Sequence, residues 1–189
     1  IGCNICIASW HDGVPVRCTQ NATAGEEWRR GWHPERFTRA SQPNNLLVVG
    51  GGPAGLEAAL IAAKQGFEVT IAEQTDDWGG RVLQESQLPG MATWRRVRDY
   101  RVWALSQMGN VSMYTNSELD AEAALSFGAD HIAVATGARW TKRLYSALEI
   151  PAEPLDLPQI LTPEDVFAGT ISGDRVLVFD YDNYYLGGV

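Results

Sequence analysis

Leu46-Leu47-Val48-Val49-Gly50-Gly51-Gly52-Pro53-Ala54-Gly55 is the stretch on which the fold turns. Four consecutive apolar residues are what a strand buried on both faces of a parallel sheet shows. The run enters G-x-G-x-x-G at Gly50, Gly52 and Gly55, and an Ala-rich helical stretch follows from Leu56 to Gln65, with Gly66 as its C-cap. Phe67 to Ala72 reads as a second strand, with Glu73 at its end and Gln74 beside it. A lone glycine pattern is weak evidence. Strand, glycine turn, helix, strand and an acid about 20 residues on together mark a dinucleotide site. Gly50 makes the tight turn, Gly52 lets main chain approach a pyrophosphate, and Gly55 lets the helix sit close to the strand. Pro53 and Ala54, in the turn ahead of the helix, join the candidate contacts, and the free N–H groups and partial positive charge of the helix start favour phosphate. Glu73 can accept hydrogen bonds from a ribose diol and repels a 2′-phosphate, which disfavours NADP in this site.

Working outward, Trp78-Gly79-Gly80-Arg81 follows closely. Its glycine pair lets main chain pass near a ligand, so Gly80 and Arg81 join the candidate contacts. Val111 to Tyr114 reads as a strand and Ala121 to Phe127 as a short helix. Asp130 to Ala135 is another strand, with Thr136 and Gly137 at its carboxyl end, where open α/β sheets take their ligands. His131 within it reads as structural. Met91, Trp94, Val97, Tyr100 and Trp103 recur at helix-like spacing and read as a core face.

Leu155 to Pro163 is proline-rich, a helical turn is expected over Pro163 to Ala168, and Arg175-Val176-Leu177-Val178-Phe179 reads as a buried strand opening a second unit. A second fingerprint after that strand would place its glycines where Asp180, Asp182 and Tyr185 stand. Carboxylates there repel a pyrophosphate, so this second site is not expected to bind NAD(P) in the ordinary way. Ser41-Gln42-Pro43-Asn44 reads as a linker. The expected organisation is a cluster-binding segment and linker over 1–43, a nucleotide-binding domain over 44–173, and the start of a second nucleotide-binding-like domain over 174–189.

The 189 residues carry 15 Lys+Arg against 23 Asp+Glu, a net charge of −8. That acidity argues against nucleic acid as a partner, since binding there rests on cations meeting phosphate. No apolar run approaches the roughly 18 residues that cross a bilayer, so no membrane role is expected. With no signal peptide visible, a cytoplasmic location is expected. The chain starts at Ile1 and stops inside what reads as a turn, so we expect it to be an internal piece of a longer protein.

All three cysteines, Cys3, Cys6 and Cys18, fall in the first 18 residues, which random scattering would produce only about once in a thousand chains. C-x2-C followed by x11-C suits metal ligation, because two thiolates two residues apart can face one ion from a single turn. Three thiolates leave either a tetrahedral zinc or a four-iron cluster one ligand short. His11 or His33 could complete a zinc site, a cysteine before Ile1 could complete an iron–sulfur site, or the thiols could be unmetallated. The stretch from Thr19 to Pro43 is polar and loop-like, with Arg29, Arg30, Arg36 and Arg39 forming a basic patch.

Ile1-Gly2-Cys3-Asn4-Ile5-Cys6, Cys18 through Glu27 and Arg29-Arg30-Gly31-Trp32-His33-Pro34-Glu35 resemble the trimethylamine and dimethylamine dehydrogenase family. The likeness continues through Gly50–Gly55, Gly79-Gly80, Ala135 to Trp140 and the Asp180 turn. It implies a 4Fe–4S cluster with Cys3, Cys6 and Cys18 as ligands and a fourth cysteine directly before Ile1. It also implies ADP or FAD at the glycine turn, and FMN and the substrate pocket in an upstream TIM barrel outside this chain. The fold class implied is α/β: a Rossmann-like, glutathione-reductase-like three-layer domain behind an irregular Cys-rich segment. The activity implied for the parent is oxidation of a small amine at FMN, with electrons leaving through the cluster to an electron-transferring flavoprotein. A homo-oligomeric parent is expected, and no catalytic residue is assigned within the chain. Two alternatives remain: a 2,4-dienoyl-CoA reductase-type enzyme that takes electrons from NADPH, and a zinc-stabilised nucleotide-binding module. The tight Cys3-x2-Cys6 interval and Asp180/Asp182 favour the amine dehydrogenases.

Overall fold

A computed structural model describes residues 1–33, 36–142, 157–171 and 173–179. The chain divides into two compact units, Ile1–Gly137 and Ala138–Val189.

The first unit is built on four parallel strands: β1 (Asn45–Val49), β2 (Glu68–Ala72), β3 (Val111–Tyr114) and β4 (His131–Val134), in the order β3-β2-β1-β4. The register pairs Val48 with Ile71 on one side and with Ala133 on the other. Alternation along β1 sends its side chains to opposite faces. Val48 joins Leu56, Ala59, Leu60, Val69, Ile71 and Leu105 beneath the helices α3 (Pro53–Lys64) and α5 (Arg96–Ser106). Leu47 and Val49 point the other way and pack with Ala124 of α6 (Ala121–Ser126). The three expected layers, helix on sheet on helix, are therefore present. The small residues Ala59, Ala62 and Ala63 let α3 lie close over β1 and β2, and Gly66, at φ 99°, turns the chain out of the helix.

The chain moves outward from β1 to β2 to β3, then returns to place β4 on the other side of β1. The carboxyl ends of β1 and β4 thus flank a topological switch point, the place where open α/β sheets bind ligands.

Ahead of the sheet, the described residues before Asn45 are largely irregular. Two short helices interrupt them, α1 (Ile5–His11) and α2 (Glu27–Arg30). The shorter elements between β2 and α5 are α4 (Arg81–Glu85) and a 3₁₀ turn at Ala92–Arg95. In the second unit, α7 (Pro163–Phe167) falls where the helical turn was expected. Thr162 and Asp165 close a reciprocal capping box at its start. Among the described residues, no helix is long and apolar enough to cross a membrane.

Two expectations are overturned. The core face of α5 is not the row Met91-Trp94-Val97-Tyr100-Trp103. Of these only Val97 is buried, while Tyr100 and Trp103 are exposed, and Trp94 lies in the 3₁₀ turn. Steps of three drift backwards around a 3.6-residue helix, whereas the buried row Val97-Arg101-Leu105 steps by four and holds its face. Residues Arg175 to Phe179 form neither a strand nor a buried segment, and Leu177 is 93% exposed. An apolar run makes a strand only where a neighbouring strand receives its hydrogen bonds, and the described residues supply none. Asp180, Asp182 and Tyr185 lie outside the described residues.

Candidate nucleotide site and thiol segment

The three fingerprint glycines are required for different reasons. Gly50 sits at φ 108°, and a Cβ there would stand 2.4 Å from the Ala135 carbonyl oxygen. The turn therefore closes against the end of β4. A Cβ on Gly55 would stand 1.9 Å from the Gly50 carbonyl oxygen, so only glycine lets α3 start this close to β1. Gly52 is different: its φ is ordinary at −72°, and apart from its own chain neighbours no protein atom lies within 4 Å of where its Cβ would be. The space it leaves open lies over the start of α3. There Pro53 has no N–H, no side chain caps the helix, and the Ala54 and Gly55 amides have no intrahelical acceptor. That is the geometry of a phosphate-facing helix start.

Glu73 is 6% exposed and fixed on both oxygens. Oε2 accepts from the Gly51 amide at 2.6 Å, while Oε1 accepts from the Thr75 amide and the Thr75 hydroxyl, each at 2.9 Å. Its backbone is held as well: its amide donates to the Tyr114 carbonyl and its carbonyl accepts from Ser117, both at 2.8 Å. The carboxylate expected to meet a ribose is thus already oriented against the glycine turn. Gln74 beside it is exposed, as are Thr136 and Gly137 at the end of β4, the latter at φ 85°.

The second glycine pair lies over the first turn. The Gly79 amide donates to the Gly51 carbonyl at 2.9 Å, and Gly80 faces the Gly52 Cα, which its Cβ would approach to 3.4 Å. The buried Trp78 ring covers Gly51, where a Cβ would meet it at 2.5 Å. Gly80 precedes Arg81, the first residue of α4. Gly50, Gly52, Gly55, Glu73 and Gly80 are therefore brought to one place at the switch point, with Pro53 and Ala54 at the helix start.

The thiol segment is looser. Cys3 is half-buried, and Cys6 and Cys18 are exposed. Cys3 Sγ lies 3.1 Å from Thr19 Oγ1, which brings the first thiol to the loop carrying the third. Cys18 Sγ accepts from the Asn21 amide at 3.4 Å. Cys6 sits on α1, which starts from a left-handed Asn4 at φ 59°. Among the described residues, no three His, Cys, Asp or Glu side chains converge as a metal site would require. His11 packs edge-on against Trp10, and the main chain of His33 pairs with that of Arg36 in an isolated antiparallel bridge. Two of the patch arginines, Arg29 and Arg30, are engaged by Glu26.

Sequence reading missed the polar groups that brace these parts. Arg101, 3% exposed on α5, donates to Glu57 Oε2 of α3 at 2.6 Å and to the Val97 carbonyl at 2.7 Å. Its third nitrogen reaches the Thr19 carbonyl at 3.5 Å, so the residue after Cys18 leans on the nucleotide-binding fold. Further ties run from Thr93 to the Ile1 carbonyl at 2.9 Å and from the Ala40 amide to the Gln65 carbonyl at 3.0 Å. Burial and the Glu57 charge raise the Tyr100 phenol above its ordinary pKa, with Arg101 opposing them. A buried arginine gives no signal in a hydrophobicity pattern, which is why it escaped notice.

The chain matches the family model for pyridine nucleotide-disulphide oxidoreductases over residues 16–156. It is 40% identical to dimethylamine dehydrogenase from Hyphomicrobium sp. (strain x), over 98% of this chain and 26% of that protein. The solved histamine dehydrogenase from Rhizobium sp. 4-9 superposes with a TM-score of 0.83 at 44% identity, covering 98% of this chain and 28% of that one. The 6-hydroxypseudooxynicotine amine oxidase from Pseudomonas geniculata N1 follows with a TM-score of 0.80 at 47% identity, over 90% and 26%. The chain thus spans about a quarter of the length of these relatives. It belongs to the pyridine nucleotide-disulphide oxidoreductase family, within the branch of the trimethylamine and dimethylamine dehydrogenases.

Proposed function

We propose that this chain is the nucleotide-holding and electron-transfer portion of a flavin-dependent amine dehydrogenase. The observation that carries the nucleotide part is Gly52. No neighbour and no backbone angle requires a glycine there, yet a Cβ would project into the space before the α3 amides. A pyrophosphate in that space explains the residue. ADP, alone or as part of FAD, suits it, because the carboxylate of Glu73, beside the glycine turn, would accept a ribose diol with its remaining lone pair and would disfavour a 2′-phosphate. Pro53, Ala54 and Gly55 would meet the phosphates. Gln74, Gly80, Arg81, Thr136 and Gly137 would complete the surround.

Cys3, Cys6 and Cys18 would hold a 4Fe–4S cluster with one further cysteine. Thiolate donors in C-x2-C spacing suit it, and the contact of Cys3 with Thr19 brings the first thiol to the residue beside Cys18. When bound, such a cluster supplies single-electron transfer, the chemistry needed to hand a flavin's electron pair onward one electron at a time. The acceptor proposed is an electron-transferring flavoprotein, and the substrate a small amine oxidised at FMN elsewhere in a homo-oligomeric, cytoplasmic protein. The domain limits 1–43, 44–173 and 174–189 belong to the same proposal. Within this chain the residues bind and orient; none performs the carbon–hydrogen cleavage.

Anaerobic preparation of the full-length protein, with iron, acid-labile sulfide, zinc and nucleotide analysis, tests this directly. Four irons and four sulfides with one adenine nucleotide per chain, and flavin bleaching by a methylated amine, are expected. Stoichiometric zinc, or bleaching by NADPH and by no amine, would overturn it.

A further inference from the structure

We propose that Arg98 is a positioning residue of the nucleotide site, clamping the Asp77–Gly80 loop onto the glycine turn and so setting where main chain meets the pyrophosphate. This rests on the nucleotide assignment above and deepens it.

Arg98 lies on α5. Its side chain is 18% exposed, and all three guanidinium nitrogens are used. Nε donates to the Trp78 carbonyl at 3.0 Å, one terminal nitrogen donates to Asp77 Oδ1, and the other to Asp99 Oδ1 at 2.9 Å. Burial opposes the cation, but the two carboxylates outweigh it, and its pKa lies above the ordinary guanidinium value. Two of its partners are consecutive residues of one loop, one main chain and one side chain. A planar fork gripping both fixes that loop's orientation, which a point charge would not do.

The loop in turn rests on the nucleotide cradle. Trp78 covers Gly51, the Gly79 amide holds the Gly51 carbonyl, and Gly80 faces the Gly52 Cα. The stem of Arg98 also fills the place beside Gly79, where a Cβ would stand 2.9 Å from Arg98 Cγ. At φ 122°, Gly79 is in a conformation that glycine holds readily and other residues do not; a glycine pair leaves the loop many other shapes, and the clamp selects this one. Glu73 does not depend on the clamp to the same degree, because Tyr114 and Ser117 hold its backbone from the other side. Loss of Arg98 should therefore reach the phosphate half of the ligand and spare the ribose half.

The full-length protein, freed of nucleotide and titrated calorimetrically with ADP and with adenosine, tests this. Arg98→Met keeps the stem and removes the fork. It should weaken ADP binding at least about tenfold and adenosine binding less than about twofold. Asp77→Asn, which loosens the same grip from the loop side, should shift ADP affinity in the same direction, and Arg98→Lys should recover less than half of the loss. Unchanged ADP affinity in both Arg98→Met and Asp77→Asn would overturn the clamp while leaving the nucleotide site standing. Equal losses for ADP and adenosine would overturn it too, since general loosening gives that result. An unaltered protein that binds neither ADP nor FAD would overturn the nucleotide assignment and the clamp with it.

Discussion

The glycine turn and the thiol segment lie in the same compact unit, yet they are held by opposite means. Around Gly50–Gly55 the main chain is wedged: carbonyl oxygens stand 2.4 and 1.9 Å from where Cβ atoms would be, and both oxygens of Glu73 accept hydrogen bonds from the protein. Around Cys3–Cys18 two thiols are exposed, and Ile7, Trp10, Val14 and Val16 all lie open to solvent. The first region is shaped by its own packing. The second hangs on a few polar ties to α5 and α3. A site built by sterics exists before its ligand arrives, whereas a site built from dispersed thiols gains its order largely from what it binds.

The largest effect expected from this contrast is at Gly55. Gly55→Ala should destabilise the nucleotide-binding unit by more than about 3 kcal/mol, because the added Cβ is fixed by the main chain and meets a backbone carbonyl oxygen, so neither atom can rotate away. Denaturant unfolding would measure it, and a loss below about 1 kcal/mol would show that the turn can spread.

Next comes the bridge between the two regions. Glu57→Ala strands Arg101 at 3% exposure, and removing one partner of a buried pair costs several kcal/mol when both are enclosed. Glu57 retains 22% exposure, so about 2 kcal/mol is the discounted expectation. The same change should speed modification of Cys18 by a thiol reagent, since Thr19 loses its anchor. A faster Cys18 reaction without loss of stability, or the reverse, would separate the anchoring role from the packing role.

How much of this was open to reading follows the same division. The strand, turn, helix and strand from Asn45 to Ala72 were legible because apolar runs, glycine positions and helix length are local properties, and sterics converts them directly into geometry. Glu73 was legible by its distance from the turn, although its bond to Gly51 was not. The face of α5 was misread because aromatic rings at steps of three looked like a core, while the true row is centred on a charged residue. Arg98 and Arg101 stayed hidden for the same reason: their partners, Asp77 and Glu57, are 21 and 44 residues away, and no short-range pattern joins them. The run Arg175 to Phe179 failed differently, since an apolar string specifies a strand only together with a neighbour. The thiol spacing was legible as chemistry and not as geometry.

A smaller effect on stability should accompany a larger one on ligand at Gly52. Gly52→Ala meets no atom and needs no unusual φ, so it should cost at most about 1 kcal/mol, mainly through the weaker helix start. Its Cβ would occupy the phosphate space, so ADP affinity should fall at least about tenfold. Gly52 and Gly55, three residues apart in one motif, should thus separate cleanly into a ligand glycine and a fold glycine. Equal stability losses at both would erase the distinction.

The gentlest test uses acid. Glu26 lies just ahead of α2, and the hydrogen bond from Arg29 is the main influence holding its carboxyl below the ordinary value of 4.5; the charges of Arg29 and Arg30 add to it, against some desolvation. A depressed folded pKa means that the stabilisation is present above the unfolded value and is lost as pH falls through the folded one. Amide exchange at Arg30 and Gly31, whose N–H groups donate to the carbonyls of Glu26 and Glu27, should therefore begin to quicken as pH drops below about 4.5. Added salt should produce part of the same change at neutral pH, because this ion pair is exposed. Amides of β1 and α3, held by packing and main-chain bonds, should not respond over that range once intrinsic exchange is subtracted. If both sets quicken together, the thiol segment and the nucleotide fold open as one cooperative body, and the division between a wedged site and a tethered one fails.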